Sequence, residues 1–342
     1  MNKISIQVIS DIHTELYRHL PNLEPLAPYL FMAGDIGNVD GDNNIKYKNF
    51  LSYCSKKWEK VFVVLGNHEF YQKSVQISEK KPFQEIIKIY TEMFETFNNV
   101  YLLNDSWCEI VPGLNIYGTT LWTTNYGFTH NPGYSLNDYN MIAMYKEMTD
   151  VGNNANTNTN TNIKLSNSKH KSESRIRMRT RSLSSDNNIK QSVKFDVIEE
   201  YKKEYKKEYK KEYKQEYKQV SLISEKFIND ISTLQLNLLN EYLNTVNTKT
   251  IIMTHFPPFR KGSSNPIYSN QPIQMKNYFS WLDIHTKLNS SYIEGWICGH
   301  THWSYDLVDN GIRFMSNQMG YREECASGES NFECDKIYTI EY

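Results

Sequence analysis

Nine histidines are spread over 342 residues, and five of them end short apolar runs. The runs read ISIQVISDIH (4–13), YLFMAGD (29–35), VFVVLGNHE (61–69), TIIMTHF (250–256) and GWICGHTH (295–302). Together they place Asp11, His13, Asp35, Asn67, His68, Glu69, His255, His300 and His302 at five strand-like ends. Imidazoles and carboxylates are costly to bury without a partner. A mixed set of imidazole, carboxylate and carboxamide suits Mn, Fe or Zn, and suits neither a soft thiolate site nor an all-oxygen calcium site. The ligands are too many for one ion, which points to two. Taken singly, each pair reads as a turn, since Asn and Asp tolerate left-handed backbone. Their coincidence at five run ends makes independent turn roles improbable. His19, His130, His170 and His285 lack such company and read as surface or core residues.

The elements that must position these residues follow from periodicity. ISIQVIS, YLFMAGD and VFVVLGN read as strands, the third buried on both faces by its continuous apolarity. Helical spacing over 43–58 and 82–97 separates them, and Pro82 suits a first turn. Strand–helix alternation predicts a parallel or mixed sheet covered by helices. Ligands of such sheets sit at the C-terminal strand edge. The spacing of Asp11 and His13, like that of His300 and His302, matches the two-residue alternation of a strand. Short β runs over 100–120, a helix over 222–243, a buried strand and loop over 250–258, a helix over 271–288 and a hairpin turning on Asp309-Asn310-Gly311 complete the pattern.

Residues 151–219 differ in character. They hold 17 of the 38 Lys and Arg and 9 of the 39 Asp and Glu, a net of +8 that leaves 21 against 30 elsewhere. The 151–198 segment is rich in Asn, Thr, Ser and Arg and too poor in apolar residues to offset its ordering entropy, so disorder is expected. The repeat over 199–219, with Tyr201, Tyr205, Tyr209, Tyr213 and Tyr217 four apart, predicts an exposed helix supported by Glu–Lys pairs. SRIRMRTRS (174–182) tempts a nucleic-acid reading, but no aromatic residues interleave those arginines to stack bases. A tolerated surface insertion is the favoured reading, within a discontinuous domain of 1–150 and 220–342.

Five cysteines without CxxC spacing argue against a disulfide framework. No signal-peptide pattern opens the chain and no apolar run approaches membrane-spanning length, so a cytoplasmic protein with no membrane partner is expected.

The ordered series DIH, GD, GNHE, TH and GHTH resembles the calcineurin-like metallophosphoesterase family, over all but about 151–220. GTTLWTTN (118–125), LNDYNMI (136–142) and GIRFMSNQMGY (311–321) are similar to its small bacterial-type phosphoesterase branch. The resemblance implies an α/β fold, a four-layer α/β/β/α sandwich of two mixed sheets. It implies two divalent ions, one on Asp11, His13, Asp35 and His302. Asp35 would bridge to the second, held also by Asn67, His255 and His300. His68 would act off the metals as general acid, with Glu69 or a neighbour orienting it. Some relatives place a second histidine where this chain has Phe256. The implied activity is hydrolysis of a small phosphate ester, monoester or diester, by a metal-bridging hydroxide. A nuclease-type diesterase would need a basic groove, whereas the portion outside the insertion is acidic. A non-catalytic scaffold would have no use for all seven ligands and His68.

Overall fold

A computed structural model of the chain describes residues 2–17, 23–124, 136–146 and 219–342. Strands β1 (Lys3–Ile9), β2 (Tyr29–Ala33), β3 (Lys60–Val64) and β4 (Val100–Leu102) lie parallel in that order. Helix α1 (Asn43–Lys57) connects β2 to β3, α2 (Phe83–Phe94) connects β3 to β4, and a single-turn α3 (Asp138–Met141) comes later in the chain. The second sheet contains β5 (Ser106–Val111), β6 (Leu114–Thr119), β9 (Lys249–Thr254), β10 (Ile293–Ile297), β11 (Tyr305–Asp309) and β12 (Ile312–Ser316). Its order is β11-β12-β10-β9-β6-β5, parallel in the middle and antiparallel at both edges.

Alternation along each strand builds the layers, because successive side chains point to opposite faces. Phe31, Phe62 and Val64 face inward and meet Ile116, Ile251, Met253 and Ile297 of the other sheet. Their neighbours Leu30, Met32, Val61 and Val63 face outward onto Tyr47, Phe50 and Leu51 of α1 and Ile86 and Tyr90 of α2. On the far side Ile252, Trp296 and Phe314 pack on Leu239, Tyr242 and Leu243 of α4 (Glu225–Thr245). Three apolar interfaces therefore separate four layers, helices outside and two mixed sheets inside. This is the α/β/β/α sandwich.

Two features depart from the sequence expectation. The helix over 271–288 is only α5 (Ile273–Phe279), followed by a 3-10 turn at Ile284–Lys287. Trp281 and Ile284 donate their backbone N–H groups to Pro257 and Pro258, each at 3.0 Å, and Asp283 turns left-handed at φ 51°. Those bonds to the β9 loop replace helical ones. An unforeseen last strand, β13 (Ile337–Glu341), pairs antiparallel with β1 and closes that edge. Among the described residues no helix is long and apolar enough to cross a membrane.

The expected disordered segment (151–198) and the Tyr-Lys-Glu repeat (199–219) lie outside the described residues, except Gln219. Their flanks are informative. Strands β7 (Ala143–Tyr145) and β8 (Val220–Leu222) pair antiparallel, and Lys146 N–H donates to the Gln219 carbonyl at 2.7 Å. The chain thus leaves and returns at one point, as at the stem of a hairpin. Replacing 147–218 by a short Asn-Gly turn should leave folding and metal content unchanged. A fall in Tm beyond about 2 °C, equivalent to about 1 kcal/mol for a core of this size, would show that the core depends on the replaced residues.

Candidate metal centre

Each parallel strand stops just before its functional residues. Beyond β1, Asp11 and His13 have φ of 54° and 52°; Asp35 beyond β2 has 52°; His300 and His302 beyond β10 have 77° and 51°. The two-residue spacing therefore comes from left-handed turns and not from strand alternation, which corrects the sequence reading. Such backbone costs on the order of 1–3 kcal/mol per residue and persists where surrounding bonds over-determine it. Those bonds are present. Asp11 N–H donates to the Gly34 carbonyl and His13 N–H to the Asp35 carbonyl, both at 3.0 Å. The buried Glu69 carboxylate accepts N–H groups from Gly66 (2.6 Å), Ile36 (2.8 Å) and Asp35 (2.9 Å).

The side chains predicted as ligands gather in two clusters, and a third group, His13 with Glu15 and His68, adjoins the first. Asp11, His13 and His302 form one, and Asp35, His255 and His300 the other, each with ligand atoms within 4.8 Å of one another. In the first, Nε2 of His13 and Nε2 of His302 face each other at 3.1 Å, with Asp11 Oδ1 3.6 Å from the latter. In the second, His255 Nε2 lies 3.1 Å from Asn67 Oδ1, 3.2 Å from His300 Nδ1 and 3.4 Å from Asp35 Oδ1. His300 and His302 are thus neighbours in sequence that serve different clusters.

The outer partners decide what these atoms can do. His255 Nδ1 donates to the Ala33 carbonyl at 2.8 Å, which turns Nε2 to the cluster. Asn67 Nδ2 donates to Asp138 Oδ1 and the Tyr71 hydroxyl, each at 3.0 Å, so its oxygen points inward. His302 Nδ1 lies 2.6 Å from Glu324 Oε2, which turns its Nε2 inward as an acceptor. Both clusters consequently turn ring nitrogens and side-chain oxygens toward one another, an arrangement that attracts positive charge: burial would lower His255, but Asp35 outweighs it and raises it to about 9. Divalent cations would satisfy the same atoms, and metal-bound histidines ordinarily donate their other N–H to a carboxylate or carbonyl in this way. The residues present fit divalent metal.

His68 stands beside the clusters. Its ring centroid is 4.3 Å from that of His13, and its backbone N–H donates to Asp35 Oδ1 at 2.8 Å. Glu69 does not orient it, being held by the backbone amides. The carboxylate at His68 Nδ1 is Glu15, with Oε1 at 3.1 Å, while the Tyr321 hydroxyl is 3.5 Å from Nε2. Burial alone would lower His68, but Asp35 and Glu15 outweigh it and hold it at about 9. Burial likewise would raise Glu15, yet the rings of His13 and His68 keep it at about 2. Burial and the neighbouring His255 push His300 well below the ordinary imidazole range, which keeps it neutral and able to ligate.

Sequence reasoning missed Glu15, Asp138, Tyr321 and Glu324. Glu324, in the first turn of the short α6 (Arg322–Ser327), reaches back to accept the N–H of its N-cap residue Tyr321 at 2.7 Å, so one carboxylate fixes both His302 and Tyr321. Asp138 sits in LNDYNMI, singled out in the sequence without a role.

Comparison with known proteins gives concordant results. A sequence profile described as calcineurin-like phosphoesterase matches residues 4–206. An uncharacterized protein, L509, of Acanthamoeba polyphaga mimivirus is 24% identical over 305 residues, 86% of this chain and 79% of that protein. The crystal structure of phosphopantetheinyl hydrolase (PptH) from Mycobacterium tuberculosis is similar with a TM-score of 0.52 at 15% identity, covering 95% of this chain and 92% of that one. At that identity the likeness speaks for the fold.

Proposed function

The chain belongs to the calcineurin-like phosphoesterase family, and on that premise we propose that it hydrolyses a small phosphate ester with the aid of two divalent ions. The observation that carries this reading is the convergence of ring nitrogens and side-chain oxygens in two adjacent clusters. Asp11, His13, Asp35 and His302 would hold one ion, and Asp35, Asn67, His255 and His300 the other. A pair of such ions, Mn, Fe or Zn by the donor set, supplies an acidified water and neutralises phosphoryl oxygens in an in-line displacement. The chain supplies the rest. Asn67 and His255 are held rigidly by Asp138 and the Ala33 carbonyl, so the donor set is preorganised. Phe256 and Tyr278 pack on the His300 ring at centroid distances of 4.0 and 4.9 Å and limit water at that side. His68, outside both ligand sets, gives a proton to the departing oxygen.

The test compares 4-nitrophenyl phosphate with bis(4-nitrophenyl) phosphate, using metal-stripped protein to which Mn²⁺ is returned. Turnover should vanish on stripping and recover as the second equivalent binds. Preference for the bis ester would direct the search to phosphodiesters. A folded protein that binds no metal would overturn the reading in favour of a scaffold.

His68→Ala should keep both ions and lower kcat by about 10²–10⁴ for esters with poor leaving groups, the usual worth of general acid catalysis. Esters of acidic phenols should lose far less. A uniform loss across leaving groups would remove the proton-donor role.

A further inference from the structure

Glu15 lies in neither of the two proposed ligand sets, although its carboxylate and the rings of His13 and His68 bring their ligand atoms within 4.8 Å of one another; nothing about its position two residues beyond His13 marks it in the sequence. In the fold it is 8% exposed, and Oε1 touches two rings, His68 Nδ1 at 3.1 Å and His13 Nδ1 at 3.5 Å. Its placement is tightly packed. A methyl added at Gly37 would come within 2.1 Å of Thr14 Oγ1 and 3.4 Å of Glu15 Oε2. The backbone beside it is tied as well, since Thr14 N–H donates to the Ile36 carbonyl at 2.8 Å. The neighbouring carboxylate in sequence to His68, Glu69, is engaged elsewhere.

We infer that Glu15 is the positioning residue of His68, holding Nδ1–H inward so that Nε2 faces the reacting centre, and linking that orientation to His13. An imidazole attached through a single flexible torsion has two ring orientations. A fixed acceptor on one nitrogen selects one tautomer and one orientation, as outer carboxylates do for ligand histidines. The same oxygen lies 3.5 Å from His13 Nδ1, an ion-pair contact without a hydrogen bond, so Glu15 orients the donating ring while it rests against a ligating one. This assignment rests on the phosphoesterase reading for what His68 does, but the hydrogen bond itself can be tested without turnover.

The experiment has two arms. In ¹⁵N-histidine-labelled, Zn²⁺-loaded protein, His68 should show a protected Nδ1–H resonance that survives in Glu15→Gln and disappears in Glu15→Ala. An unmoved resonance in Glu15→Ala would overturn the inference. In the kinetic arm, Mn²⁺-loaded Glu15→Ala should retain its ions and lose kcat about 10²-fold on a methyl phenyl phosphate diester, with a much smaller loss on the 2,4-dinitrophenyl analogue, and Glu15→Gln, which keeps an acceptor on Nδ1, should recover most of it. Adding Glu15→Ala to His68→Ala should cause no further loss, since groups acting as a unit are not additive. Losses that multiply, or a Glu15→Ala protein that sheds metal, would reduce Glu15 to a support for His13. Wild-type protein inert toward both esters would count against the phosphoesterase reading instead, and the resonance arm would still decide the role of Glu15.

Discussion

Asp35→Asn is expected to release both metal ions and reduce turnover to background. The substitution is isosteric, and the left-handed backbone at φ 52° is one that Asn adopts readily. Packing and backbone should therefore survive, leaving chemistry as the variable. Asp35 Oδ1 lies 3.4 Å from His255 Nε2 and accepts His68 N–H at 2.8 Å. Imidazoles around the buried carboxyl outweigh its burial and keep it well below the usual carboxylate range, hence charged. A carboxamide there removes that charge and can place a donor among acceptors. Loss of an outer partner alone typically weakens metal binding 10–100-fold, so loss of a shared ligand should exceed about 10²-fold for each ion. Metal analysis of the purified variant, beside a circular dichroism melt, reads the result. Asp11→Asn provides the contrast, because Asp11 belongs to one cluster only and one ion should remain. Near-wild-type stoichiometry in Asp35→Asn would show that the carboxylate does not bridge.

The strand ends were legible because their signals are local. Apolar runs broken by Gly-Asp or Gly-Asn-His are visible over seven or eight residues, whereas alternation gave the wrong cause for the spacing of Asp11 with His13 and of His300 with His302, which left-handed turns produce. Glu324 had no such signal. It sits in REECAS, 22 residues from His302, and its role depends on a six-residue helix that brings it back to within 2.6 Å. Adjacency misled in the case of Glu69, where a 3-10 turn over His68–Phe70 sends consecutive side chains in different directions, one to the site and one to the amides. The overlong helix at 271–288 failed for a similar reason, since apolar spacing carries no record of the carbonyls of Pro257 and Pro258 that capture its amides.

Gly66→Ala should be nearly as damaging to metal binding as Asp35→Asn, although it adds a single methyl and changes no ligand residue. The backbone at Gly66 is not left-handed, so alanine meets no conformational penalty there. Space is the obstacle. The added Cβ would lie 2.1 Å from Asp35 Oδ1, 2.7 Å from Asp35 N and 2.7 Å from His255 Cε1. None of these can yield freely. Asp35 N–H is bound to Glu69, and so is the Gly66 N–H itself, while His255 is fixed through Nδ1 to Ala33. Either the carboxylate swings out of the cluster or the β2 and β3 loops separate, and both remove Asp35 from its shared position. Overpacking of this kind typically costs about 1–3 kcal/mol, so a Tm lowered by several degrees should accompany the loss of metal. Gly113→Ala separates space from backbone. Nothing lies within 4 Å of its added methyl, yet φ is 86°, so it should lose about 1 kcal/mol of stability and keep its metal. A Gly66→Ala protein with full metal content and turnover would mean that the loops relax around the methyl, and that Asp35 is held less rigidly than its bonds to Glu69 and His68 imply.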